Sequence, residues 1–178
     1  ASEDLKNKEI KHTVMGSEVS ADLKGAELLS ESSDTKTNED GDTVTTASAT
    51  KTTLDDKGMK IEHKAGENTA NADGSSTSTS TTTNAALDKD GKLSGGVSRT
   101  NTVTGADGSS NSSTIGTSAS MAGDDIKVSG NLSTTNKDAD GNSTTSATTG
   151  TVDVKDGSAT ISGTESLSTT RVGDDGTT

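Results

Sequence analysis

The chain has 178 residues, a formal net charge of −12 at pH 7 and no Phe, Tyr, Trp, Pro or Cys, while Thr, Ser and Gly number 33, 27 and 20. Hydrophobic residues make up only 24% of the chain, well below the apolar share of an ordinary domain even when glycine is added, which excludes a compact monomer around a conventional core. The missing Cys excludes disulfides, the acidic charge and missing aromatics argue against nucleic-acid binding, and no apolar run of about 18 residues exists to span a membrane.

Sequence motifs of catalysis are also missing. His12 and His63 are the only histidines. The chain contains no H-E-x-x-H, G-x-S-x-G or phosphate-binding glycine string, so zinc hydrolysis, serine hydrolysis and nucleotide chemistry lack their residues. We therefore expect that the protein is not an enzyme.

Turn strings recur along the chain at nearly even intervals, as the positions of their glycines show. Glycine supplies the positive φ that tight reversals need, and Asp-Gly between alternating segments predicts a hairpin with a type I′ turn. Asp125 stands where a glycine would fall between two of these strings. The predicted turn glycines are Gly41, Gly58, Gly74, Gly91, Gly108, Gly141 and Gly157.

The turns alternate between two types, so that turns of one type recur at every second interval for most of the chain. One type is polar, as in EDGDTVTT and ADGSSTST, and the other is flanked by apolar residues, as in LDDKGMKI and LDKDGKL. The repeat is therefore a pair of segments, with a period of roughly 33 residues. We expect one repetitive β domain over 1–178, with repeats at approximately 8–41, 42–74, 75–108, 109–141 and 142–176.

The segments between turns have strand character. Thr, Val and Ile favour strands, no proline interrupts them, and a helical stripe is missing. We predict an all-β antiparallel meander of about ten strands, which assembles into a continuous cross-β sheet; a β-solenoid is the alternative. The predicted strands are 8–22, 26–38, 43–54, 59–71, 75–87, 92–104, 109–121, 126–137, 142–153 and 158–171.

Apolar residues flank the second type of turn. In a meander they would form a packing stripe across the strands near one end, while Thr, Ser and Asn fill the opposite end. We expect the stripe to be a contact surface between subunits or stacked sheets; the alternative is a small core inside a two-layer fold. The stripe consists of Leu23, Leu54, Leu87, Met121 and Val154 before the turns and Leu28, Ile61, Leu93, Val128 and Ile161 after them.

Aspartates cluster at the turns. The strings Asp88–Gly91 and Asp138–Gly141 resemble the start of a calcium loop, although its closing Glu is missing. Asp88, Asp90, Asp138 and Asp140 are thus candidate calcium ligands. Solvation and the ordinary preference of Asp for turns are the alternative, and no other cofactor is expected.

Export and self-assembly are both expected. Sequons at Asn111, Asn131 and Asn142, and a start at Ala1 without an initiator Met, suggest a secreted or cell-surface protein whose signal has been removed. The last predicted strand lacks proline and carries few charges, so its edge is unprotected. The chain also stops just after a turn string. We therefore expect the strands near 8–22 and 158–171 to pair with neighbouring molecules in a homopolymer.

Thr-, Ser-, Gly- and Asn-rich repeats with Asp-Gly turns and no Cys or aromatics resemble the secreted functional amyloids of microbes. In style of repeat, residues 19–176 are similar to the major sheath proteins of filamentous methane-producing archaea, which form an extracellular amyloid tube around a chain of cells. The Gln and Asn ladder of curli repeats is missing. The resemblance implies a structural subunit of an extracellular cross-β filament, tube or sheath. A repetitive adhesin or stalk segment and a Thr-rich ice-binding protein are the alternatives.

Overall fold

The computed structural model describes residues 7–22 and 25–172. They form one open, ten-stranded antiparallel sheet in which the spatial order of the strands is their order in the chain. The strands are β1 (Asn7–Asp22), β2 (Gly25–Asn38), β3 (Thr43–Asp55), β4 (Gly58–Ala70), β5 (Ser76–Asp88), β6 (Leu93–Thr104), β7 (Ser110–Ala122), β8 (Asp125–Lys137), β9 (Ser143–Lys155) and β10 (Ser158–Thr170).

The predicted all-β meander is confirmed, with strand boundaries close to those expected from the turn spacing. Each strand pairs with its predecessor through a hairpin, so the solenoid alternative is wrong. From β2 to β10 the register runs without a break, whereas the pairing of β1 with β2 shifts twice, between Asn7 and Glu9 and between Val14 and Gly16. Gly16 has a φ of +95°. A glycine with positive φ is typical of a β-bulge at such a shift.

The sheet is a single layer. Within the described part of the chain, no hydrophobic residue is buried. The alternative of a small core inside a two-layer fold is therefore wrong. With 24% hydrophobic residues, the chain has too few apolar side chains to supply two facing layers from its own sequence.

The turns at one rim, after β2, β4, β6 and β8, share a five-residue loop. We call this the polar rim and the opposite one the apolar rim. In the first of these loops, the Asn38 N–H donates to the Asp42 carbonyl at 3.0 Å and the Gly41 N–H donates to the Asn38 carbonyl at 3.2 Å. Only the glycine has positive φ, which is typical of a type I turn closed by a left-handed residue. The expected type I′ turn is wrong for these loops.

The apolar rim mixes two kinds of connection. Asp156 and Gly157 both have positive φ, at 50° and 76°, as a two-residue type I′ turn requires. After β7 the positive φ of 59° belongs to Gly123, so the glycine of this turn precedes the Asp125 position at which we expected it. Asp88–Lys92 lies on the apolar rim but forms a five-residue loop like those of the polar rim. Its string DKDGK shares the D-x-D-G pattern of the DADGN at 138–142.

Loops on the same rim contact each other two strands apart. On the polar rim, Asp42 Oδ1 accepts the Ala72 N–H at 2.9 Å, and Asn142 Oδ1 accepts the Val172 N–H at 3.0 Å. On the apolar rim, the Lys57 carbonyl accepts the Lys89 N–H at 2.8 Å. These bonds hold successive repeats in line and keep the rows of side chains across the sheet continuous.

Candidate functional site

The register divides the side chains of the sheet between two faces of opposite character. Residues directly opposite each other in an antiparallel pair share a face. Of the 19 Val, Leu, Ile and Met residues in β2–β10, all but Leu29 lie on one face, which we call the apolar face. The sheet is amphipathic across its thickness, although no conventional core is present in the described residues.

The predicted packing stripe corresponds to two neighbouring rows on the apolar face. The row nearest the apolar rim joins Leu54, Met59, Leu87, Leu93, Met121, Ile126 and Val154 in continuous register. The next row contains Leu28, Ile61, Val128, Val152 and Ile161. Leu23 lies outside the described residues.

Both rows are open to solvent in this chain. Leu54 is 56% exposed and Leu87 is 44% exposed, and Ile161 on the last strand reaches 81%. Soluble monomers seldom expose a contiguous apolar patch larger than about 300–600 Å². The exposure of both rows is a finding, and the contact role expected for them stays a prediction.

The reverse face is a hydroxyl face, which we did not predict from the sequence. Thr and Ser predominate near the polar rim on both faces, as expected from the sequence, and they are also more numerous on this face than on the apolar face. Cross-strand hydroxyls there bond each other, as at Thr35–Thr45 (3.1 Å), Thr102–Ser112 (3.0 Å) and Thr135–Thr145 (3.0 Å). Near the apolar rim the same face carries charges, including the Lys51–Glu27 ion pair at 3.0 Å.

The parity of apolar residues within each strand could have revealed the two faces. Leu54 and Met59 face each other across a two-residue turn, and Leu87 faces Leu93 across a longer loop. Within one strand, alternate residues share a face. Which of the two sets in the next strand shares that face can be deduced only if the number of residues in the connecting loop is known. The loop at Asp88–Lys92 shares the D-x-D-G pattern of a polar-rim loop but lies on a rim with shorter turns, and we did not assign its length from the sequence.

The turn glycines all adopt the conformation for which glycine is needed. Gly41, Gly58, Gly74, Gly91, Gly108, Gly141 and Gly157 have positive φ. Gly58 opens β4 directly after its two-residue turn, and the others lie within loops. These glycines thus mark where the chain reverses at both rims of the sheet.

The carboxylates proposed as calcium ligands serve the loops in which they lie. Asp88 Oδ1 accepts the N–H groups of Asp90 and Lys92, each at 2.9 Å. The two Asp138 oxygens accept the backbone N–H and the Nδ2 of Asn142, each at 2.8 Å. Asp90 and Asp140 follow in the same loops. Among the described residues no group of three or more potential metal ligands converges, and calcium at these loops stays a prediction of the sequence.

Similar bonds lower the pKa of several loop carboxyls. The Ser109 hydroxyl donates to Asp107 Oδ1 at 2.6 Å and its N–H donates to the same atom at 2.9 Å, and both bonds lower the pKa of Asp107. Ser75 lowers the pKa of Asp73 in the same way, and the Asn142 side chain lowers that of Asp138. Bonds to the charged form stabilise the carboxylate.

These loops are therefore expected to weaken in acid. A carboxyl with a depressed pKa stabilises the fold above its unfolded value, near pH 3.9, and loses that contribution as the pH falls through the folded pKa. Ser109→Ala should raise the pKa of Asp107 towards the ordinary value, because the stronger donor is lost and the Ser109 backbone N–H remains. A carbon-13 NMR titration of the Asp107 carboxyl measures this. An unchanged pKa would show that the hydroxyl does not hold the carboxylate.

The open edge of β10 is the remaining candidate surface. In the described part of the chain, β10 pairs only with β9, and all 13 of its residues are exposed. Glu165 is its one charged residue. Among the described residues no helix has the length and apolarity needed to cross a membrane.

Comparisons with protein-family models, curated proteins and solved structures give no match for this chain.

Proposed function

We propose that this chain is a structural subunit of an extracellular cross-β filament, tube or sheath that grows by pairing of edge strands. The observation that carries the proposal is a ten-stranded single layer with no buried hydrophobic residue in its described part. Folding a sheet of this size requires burial to offset the lost chain entropy. Each further copy would add a paired strand and its side-chain neighbours at the edge, although edge pairing alone leaves the apolar face uncovered.

The edge offered by β10 suits such growth. Natural sheets protect their edges with proline, bulges, inward charges or very short strands. β10 is 13 residues long, contains no proline and pairs with β9 in unbroken register. A strand added here would form a run of backbone hydrogen bonds, each worth about 0.5–1.5 kcal/mol net.

An extracellular location is part of the proposal. It rests on the sequons, of which Asn111 and Asn131 are exposed on opposite faces of the sheet, while Asn142 is half-buried in a polar-rim loop. The repeat style shared with microbial sheath proteins agrees with it. The −12 net charge would keep the subunit soluble before assembly.

Electron microscopy and fibre diffraction of the purified protein test the proposal. We expect filaments or tubes with a meridional spacing of about 4.7–4.8 Å, the distance between paired strands. Isolated particles of constant mass at all protein concentrations would contradict it. Extended single rods would favour the adhesin or stalk alternative.

The hydroxyl face is the one observation that favours a second candidate, an ice-binding module. Thr35, Thr45, Thr102 and Ser112 belong to one row that crosses the sheet from β2 to β10. Their hydroxyls already bond each other in pairs, which leaves fewer groups free to order water. Thermal hysteresis in solutions of the unassembled protein would identify this function.

A further inference from the structure

The apolar face is large enough to bind a second molecule, and its shape adds to the case. Across β2–β10 the three rows nearest the apolar rim span about 40 Å by about 20 Å at standard sheet spacings. That is on the order of 800 Å², which matches the about 800 Å² that each partner buries in a stable protein interface. Leu93, Gly95, Ala119 and Met121 line a depression of about 320 Å³ in this area.

Three glycines lie in one row of the same face. Gly130, Gly150 and Gly163 are direct partners across β8, β9 and β10, and none of them has positive φ. A Cβ at Gly163 would lie 3.2 Å from the Thr149 carbonyl oxygen, whereas the chain leaves ordinary contact distance at Gly130 and open space at Gly150. Glycine inside a strand weakens it unless another chain approaches closely. Because it has no side chains, the glycine row is a trough that side chains of a second layer would fill.

Charge favours a second copy of this chain as the occupant. In β2–β10 the three rows nearest the apolar rim contain no Asp, Glu, Lys or Arg. Two such surfaces can meet without opposing like charges, even though each chain carries −12. The charges lie instead in the loops, on the hydroxyl face and in rows nearer the polar rim.

The distribution of apolar residues also selects an orientation. Arg99 and Glu165 lie in the fourth row from the apolar rim, and Asp34 and Glu67 lie in the fifth. Turning one sheet end for end would place the apolar rows of one copy against these charges. Superposing like rims keeps apolar rows on apolar rows and charged rows at the margin.

We propose that two copies pack apolar face to apolar face with their apolar rims together, and that the assembly is two layers thick. The hydroxyl faces then point outwards and stop further stacking. This proposal names the partner of the surface that the proposed polymer leaves uncovered and so deepens the proposed function. Experiments can contradict face packing and filament growth independently, because face packing depends on the side chains of the apolar face and growth depends on the backbone edge of β10.

Lysine placed on either face tests which surface pairs. Val128 lies on the apolar face and Ser129 follows it on the hydroxyl face. Val128→Lys buries an unpaired charge in the proposed interface, so we expect its dimer to dissociate at least about 100-fold more readily. Ser129→Lys adds the same charge to the outer face and should leave the dimer unchanged. Sedimentation equilibrium gives both dissociation constants, and equal values would overturn the proposal.

Gly150→Val provides a second test of face packing, which remains informative if Val128→Lys does not fold. Gly150→Val adds a β-branched residue where the chain leaves open space. We expect it to retain the β signal in circular dichroism while the dimer weakens by about tenfold or more, because the trough is filled. A folded Gly150→Val variant with an unaltered dimer would contradict close packing at this row.

Spin labels on Leu93→Cys test the orientation, and the chain has no Cys of its own to interfere. Leu93 lies on β6, near the middle of the sheet and beside the apolar rim. With like rims together, two labels lie about 10 Å apart plus the label arms; with rims opposed they lie about 40 Å apart. Electron–electron distances are measured below the concentration at which filaments form. The longer of these two distances, or a monomer, would overturn the proposal, and binding of a neutral lipid vesicle by a monomer would identify a lipid surface as the occupant.

Discussion

Glu165→Pro is expected to abolish filament elongation while the sheet itself remains folded. The turn at Asp156 and Gly157 has two residues, so Lys155 and Ser158 form a hydrogen-bonded pair, and such pairs alternate along the strands. By this alternation Glu165 directs its N–H away from β9. Proline there removes a donor from the free edge and leaves the hairpin bonds in place.

The expected effect on elongation is large. A lost backbone bond and an unpaired acceptor on the incoming strand together cost about 2–4 kcal/mol. That lowers the equilibrium constant for adding a subunit by a factor of about 30 to 1,000. Light scattering and electron microscopy measure filament yield and length against protein concentration.

Glu165→Thr is the matched control, because it removes the same charge but keeps the backbone N–H and favours a strand. We expect it to elongate at least as well as the original chain. Ser166, the next residue, directs its N–H towards β9, so Ser166→Pro should instead damage the hairpin. Filaments of normal length from folded Glu165→Pro would exclude β10 as the growing edge.

Gly58→Ala is expected to destabilise the fold more than alanine at the other turn glycines. Gly58 has φ +133°, and a Cβ there would overlap the Leu87 carbonyl oxygen and lie 2.7 Å from the Asp88 Cα. Both neighbours are backbone of β5 and cannot rotate away. The conformational strain and the overlap together should cost about 2–5 kcal/mol in the free energy of unfolding.

Gly108→Ala separates the two contributions. Gly108 has φ +85°, and a Cβ there would meet no atom within 4 Å. Its substitution should cost only the strain of a left-handed alanine, about 1–2 kcal/mol. Urea midpoints for the two variants measure the difference, and a Gly58→Ala midpoint equal to that of Gly108→Ala would show that β4 and β5 separate at little cost.

The sequence by itself determined the strands, their order and the positions of the turns. Glycines at nearly even intervals, together with Thr-rich segments free of proline, leave few options other than successive hairpins. The reason is local: a hairpin joins neighbours in the chain, so topology follows once the reversals are located. The packing stripe could be read in outline for the same reason, because its residues flank the turns.

Only the tertiary structure decided the two faces of the sheet. Alternation within a strand gives two sets of side chains, but which sets of neighbouring strands coincide depends on the register that each loop imposes. Asp88–Lys92 uses five residues on a rim where Asp156–Gly157 uses two, and Gly123 replaces the expected glycine position. Those loop conformations depend on backbone hydrogen bonds across each hairpin. The register that the loops set places Leu54, Leu87, Met121 and Val154 in one row of the apolar face.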